Sequence, residues 1–209
     1  MTAPLQLIPR LEPIRSEMEQ VEHLLHETLK GVEEPLHSML SRSLCGGKRL
    51  RAALVILAGQ MFVPSSAPFF GLAAAVEMLH VATLIHDDLV DESPMRRGHK
   101  TLHATWSAGA AVLAGDYLLA QATALIAELK HPRILGLFAE ALCTLCAGEI
   151  KQMFPVQGKR KQREDYYLSI EAKTASLFAA AIEMAGILAE AREPEIATLR
   201  RFAHELGIS

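Results

Sequence analysis

The sequence predicts an all-α fold, a helical bundle, on three observations. Half of the 209 residues are hydrophobic but only 5% are aromatic, and the runs of alanine and leucine suit closely spaced helices rather than a β-sandwich. Apolar residues recur at spacings of three and four along much of the chain. Glycine and proline fall between these periodic stretches, where helices stop. With no internal repeat, low-complexity tract or interdomain linker, 209 residues read as one domain.

The first helix is expected over 11–29, half exposed, with Ile14, Met18, Val21, Leu25 and Leu29 facing inward. A second, 33–44, ends at Gly46-Gly47. The third, 49–62, is almost wholly apolar after its first turn and is expected to be buried all round. A central helix, 67–91, carries an acidic cluster to one end of the bundle. Helices follow at 107–129, 132–153, 163–191 with a break near Lys173, and 194–206. The polar stretch PVQGKRKQRED, 155–165, reads as a solvated connector.

A formal charge of −3 gives no reason to expect a nucleic-acid partner. Cys45, Cys143 and Cys146 are an odd number, which suits a reducing, cytoplasmic setting. The Cys143/Cys146 pair lacks a second pair or a histidine to make a zinc site, so core packing is expected. Prolines and charges in the first residues argue against a signal peptide. The most membrane-like stretch, 104–127, contains Asp116, Gly109, Gly115 and Gln121, so a buried helix is expected there and no membrane span.

The most informative segment is IHDDLVDESPMRRG, 85–98, with four acids within six residues followed by two arginines and a glycine. At about 100° per residue, Asp87 and Asp91 share a helix face while Asp88 points aside. The helix is expected to end near Ser93-Pro94, crowding acids at a C-terminus whose dipole disfavours anions. A hard divalent ion answers both problems, and magnesium commonly bridges carboxylates to substrate phosphates. Arg96 and Arg97 would supply forks for those phosphates.

Upstream, GGKRLR at 46–51 offers a backbone that can approach an anion closely, then a helix start with N–H groups aimed at it. Lys48 and Arg51, one turn apart, are expected on one face. A diphosphate would fit, although a glycine-rich, basic helix entry taken alone is ordinary capping.

Together with GDYLLA at 115–120, GEIKQM at 148–153, EAKTASLF at 171–178 and the whole of 76–98, these motifs stand in an order that strongly resembles the all-trans polyprenyl diphosphate synthases. The resemblance implies an antiparallel bundle of the isoprenoid synthase type around a central apolar cavity. It also implies magnesium-dependent condensation of isopentenyl diphosphate with an allylic diphosphate, and a homodimer with 107–129 as a candidate contact. Carried over residue by residue, Asp87 and Asp91 bind magnesium, with Asp88 and Glu92 behind them. Arg96 and Lys173 hold the allylic diphosphate. Lys48, Arg51, His80 and Arg97 hold that of isopentenyl diphosphate. His80 lies two turns before Asp87 on the same face; His86, His99 and His103 are expected to be ordinary packed or surface residues.

The resemblance puts a chain-length gate at Ala82 and Thr83, both small, implying a deep channel with Val76 and Leu79 as possible lower-wall residues, and a medium or long product. It also implies a second aspartate-rich motif just after a segment like FAHELGIS. The chain stops at Ser209 before it, as a truncated or natural short form of the polyprenyl synthase domain, 1–209 lacking its C-terminal part, and activity of these residues alone stays open. Glu183, Glu190, Glu193 and Glu195 are expected on solvated faces rather than as substitutes. Two rival readings are a terpene cyclase, which needs only one diphosphate site, and a noncatalytic regulatory subunit of a prenyl diphosphate synthase.

Overall fold

A 3-10 turn, Pro9–Ile14, leads into α1 (Arg15–Glu27), whose Met18, Val21 and Leu25 form the inward stripe. This is seen in a computed structural model that describes residues 9–64, 66–154 and 175–208. The next helices are α2 (Leu36–Leu44), α3 (Leu50–Gln60) and α4 (Ala67–Val90). Pro68 sits in the first turn of α4, where its missing N–H costs nothing. α4 is the hub. It packs against α1, α3, α6 (Ala108–Glu128) and α8 (Ser176–Leu188), and its Leu72, Val76, Met78 and Leu79 are completely buried. Each such side chain contributes roughly 1.5–3 kcal/mol through burial. Gly59 lets α3 cross α4 closely, since a Cβ there would lie 2.4 Å from the Phe69 ring.

Between α4 and α6 the sequence had given no sign of a two-stranded hairpin. Met95–Arg96 (β1) pairs antiparallel with His99–Lys100 (β2), and a short helix, α5 (Leu102–Thr105), follows. Arg97 and Gly98 form its turn with φ of 49° and 81°, the left-handed pair that a tight hairpin of matching twist requires. Thr101 Oγ1 donates to Ser93 O at 2.9 Å, and Arg42 of α2 donates to Lys100 O, so the hairpin is tied down on both sides.

α7 (Pro132–Met153) has the expected bounds, and α9 (Glu193–Ile208) packs along α8. Four expectations fail. α3 is not buried all round, since Leu50 and Leu57 are exposed. Cys143 and Cys146 are exposed, because the inward stripe of α7 is Ile134, Phe138, Ala141 and Leu145, and the thiols lie off it. Of the four acids expected on solvated faces, Glu183 is buried, held 3.9 Å from Arg133 and 3.5 Å from Arg200, and Glu195 is half-buried, accepting from Arg192 at 3.0 Å, whereas Glu190 and Glu193 are exposed as expected. α6 is not a buried helix: only 33% of its most apolar window is buried, against 72% for α4, and both are long and apolar enough to cross a membrane. The connector at 155–165, the break near Lys173 and Lys173 itself lie outside the described residues.

Candidate active site

α4 ends at Val90, earlier than the sequence suggests, with Asp91 as its cap. Its last carbonyls are taken by the turn that follows: Asp91 N–H donates to Asp87 O at 2.8 Å and Ser93 N–H to Asp88 O at 2.9 Å. Asp87 is buried and Asp91 exposed, one helical turn apart at the rim. Asp88 does point aside: its Oδ1 accepts from Arg96 Nε at 2.6 Å, and this ion pair fixes the hairpin to the helix end. Glu92 is exposed.

The basic turn comes to the same place. Gly46 and Gly47 are left-handed, with φ of 79° and 94°, and a Cβ on Gly47 would lie 3.2 Å from Arg97 Nη1. The guanidinium of the hairpin therefore rests on the bare backbone of the turn. Lys48 is exposed in the turn rather than on the helix, since α3 starts only at Leu50; the expectation that it shares a helical face with Arg51 fails for that reason.

Arg51 is largely buried, with its guanidinium 4.5 Å from the centre of the Phe178 ring and, among the described residues, no acceptor for its Nε. Burial lowers its pKa and Glu77 opposes the shift. A buried cation with a vacant donor is costly until an anion arrives. His80 reports the same convergence: burial first, then the charges of Arg51, Arg97, Arg96 and Arg49, lower its pKa to about 3. His80 is therefore neutral at ordinary pH and offers a hydrogen bond rather than charge. Because the unfolded chain would bind that proton more readily, this group makes folding less favourable as pH falls from 6.5 toward 3.

Sequence reasoning missed Arg49 and Glu77. Arg49 is buried with φ of 48°; its Nε donates to Glu22 Oε1 at 2.5 Å, and its Nη1 lies 3.7 Å from Glu77 Oε2. Glu77 Oε1 in turn accepts from Ala52 N–H at 3.1 Å, taking one of the helix-start donors expected to face an anion. The available signal was Glu77, a lone acid in the apolar run from 67 to 85. His86 contacts Val112 O at 3.2 Å and Asp116 Oδ1 at 3.4 Å across the seam between α4 and α6. His99 is exposed and His103 bonds with Thr101, as expected of surface residues.

Among the described residues no three His, Cys, Asp or Glu side chains cluster as a complete metal cage. The pair Asp87 and Asp91 still suits magnesium, which keeps several waters and takes one or two carboxylates plus phosphate oxygens. A cleft lined by Arg133, Glu183, Arg200 and His204 shares no residue with this acidic and basic cluster.

The sequence model of the polyprenyl synthetase family matches residues 33–209. The chain belongs to that family. It is 38% identical over 206 residues to an all-trans-nonaprenyl-diphosphate synthase (geranyl-diphosphate specific) of Rhodobacter capsulatus, covering 94% of this chain and 61% of the relative. It is 34% identical to heptaprenyl diphosphate synthase component 2 of Geobacillus stearothermophilus, covering 94% and 62%. Among solved structures, a decaprenyl diphosphate synthase from Rhodobacter capsulatus superposes with a TM-score of 0.89 at 34% identity, covering 95% of this chain and 62% of that one. A polyprenyl synthase from Caulobacter crescentus CB15, complexed with calcium and isoprenyl diphosphate, gives 0.86 at 32% identity, covering 94% and 60%. The all-α isoprenoid synthase fold expected from the motifs is thus shown. The chain spans about three fifths of the length of these relatives.

Proposed function

We propose that the protein containing this chain condenses isopentenyl diphosphate with an allylic diphosphate, in a magnesium-dependent reaction, to give a medium or long all-trans polyprenyl diphosphate. The observation that carries this reading is the meeting of two opposite charge sets, the Asp87/Asp91 rim and the cations around His80, with Arg97 seated on Gly47. The names of the relatives, heptaprenyl to decaprenyl, support a long product.

In this scheme Asp87 and Asp91 would hold magnesium, which would supply positive charge against a departing diphosphate. Arg96 and Lys173 grip the allylic diphosphate; Arg96 does so with its terminal amino groups, since its Nε is committed to Asp88. Lys48, Arg51, Arg97 and the neutral His80 grip the second diphosphate. The allylic C–O bond breaks, the double bond of isopentenyl diphosphate forms the new C–C bond, and a proton is lost. That proton passes to the released diphosphate, a base already at the site. Ala82 and Thr83 gate the channel below, and their small size lets the product grow. The cations preorganise charge where it develops, and the apolar surroundings keep water from the cation.

A second copy is the proposed occupant of α6. Val112 and Leu113 lie exposed on it, 40% and 69%, and Leu135 on α7 is 40% exposed, an apolar face of the kind homodimers cover. Three exposed free cysteines agree with a reducing, cytoplasmic setting.

The test is product chromatography from labelled isopentenyl diphosphate with several allylic primers, with and without a chelator. Magnesium-dependent chain growth is expected. Consumption of the primer alone would favour a terpene cyclase, and no turnover beside an active partner a regulatory subunit. The second basic site, Lys48, Arg51 and Arg97, speaks against the first; the paired acids speak against the second.

A further inference from the structure

Of the three basic residues in GGKRLR, one has turned its back on the site. Arg49 is only 5% exposed, whereas Lys48 beside it is exposed. Its backbone is left-handed, a conformation uncommon for a residue with a Cβ, and its side chain is held inward. Three separate elements hold it. Glu22 of α1 receives two donors, at 2.5 and 3.3 Å; Leu44 O at the end of α2 receives a third; Glu77 of α4 lies 3.7 Å away. Glu77 also receives the Ala52 N–H, so one carboxylate fixes both the turn and the first turn of α3. Glu77 stands one turn before His80 and ten residues before Asp87 on the same helix.

We propose that Arg49 is a positioning residue and not a phosphate ligand. With Glu22 and Glu77 it locks the 46–49 turn to α4, so that Lys48 and Arg51 meet a diphosphate at a fixed place relative to His80. This rests on the two-diphosphate reading above. It makes a prediction of sign: Glu22 carries negative charge toward an anion site, so if Arg49 were a ligand, or if only net charge mattered, Glu22→Gln would tighten anion binding. If Glu22 holds Arg49 in place, the same change weakens it.

The experiment is calorimetric titration of inorganic diphosphate, in a metal chelator, into the protein and its Glu22→Gln and Arg49→Lys variants. The chelator silences the metal-requiring site and leaves the basic one. A loss of about tenfold in affinity in both variants, with helical circular dichroism retained, supports the proposal. Unchanged or tighter binding by either folded variant overturns it, even if the melting temperature falls, because a purely structural contact lowers stability without moving affinity. Arg49→Lys keeps the charge and loses only the fork, and it carries the test if Glu22→Gln does not fold. Failure of the unaltered protein to bind diphosphate would overturn the two-site reading itself, and this inference with it.

Discussion

Among the described residues, helices α4 and α6 pack against each other more extensively than any other pair and are similarly apolar, yet their surfaces have opposite fates. α4 is mostly enclosed by helices of this chain; it carries three acids, Asp87, Asp88 and its cap Asp91, at one end, and buries Glu77 midway. α6 buries a stripe, Ala111, Ala114, Leu118, Ala122 and Ile126, and leaves Val112 and Leu113 outside. Apolar composition says that a helix must be covered, not by what. For α4 the cover is the rest of this chain; for α6 it is proposed to be a second copy.

Five substitutions sharpen that contrast by testing what each helix does. Asp87→Asn at the end of α4 should have the largest effect, a fall in condensation rate of at least about 10²-fold, since it removes preorganised charge at the reacting phosphate. Steady-state assay across a magnesium series checks it, and a near-normal rate would remove Asp87 from the metal site. Ala82→Phe should move the product distribution to shorter chains, read by chromatography; an unchanged distribution would end the gate assignment. Leu79→Ala, in a wholly buried position, should cost roughly 2–5 kcal/mol in urea unfolding.

Gly115→Ala strikes the seam between the two helices. A Cβ there would lie 2.2 Å from His86 Nε2, so the imidazole must leave Val112 O and Asp116. A loss of about 1–3 kcal/mol is expected from this overpacking, measured by the same unfolding. Smallest of all for folding is Leu113→Ala on α6, within about 0.5 kcal/mol for the isolated protomer because the side chain is 69% exposed. Its effect should appear instead as weaker self-association in sedimentation equilibrium. A large loss of protomer stability with unchanged association would break the contrast.

How much of this could be read from residues alone varies with the physics involved. The bounds of α7 follow from Pro132 and the apolar period, and the Asp87/Asp91 register follows from helical spacing; both are local properties. Cys143 was misplaced because its residue type favours burial while its position on α7 does not. The hairpin at 95–100 is two short strands with no alternation to detect, and its turn is held by Thr101 and by Arg42 from far along the chain. Arg49 and Lys48 are adjacent cations with identical sequence signals. Only the backbone φ and the distant acids Glu22 and Glu77 decide which faces inward.

His86 occupies the volume that any side chain at position 115 would need, one residue before Asp87, the first of the two acids proposed to hold magnesium. The outer face of α6 and the tip of α4 that carries the acids are thereby joined through one imidazole. If a second copy docks on α6 and Asp87 holds magnesium, as proposed, dilution into single protomers should weaken magnesium affinity before it melts the fold.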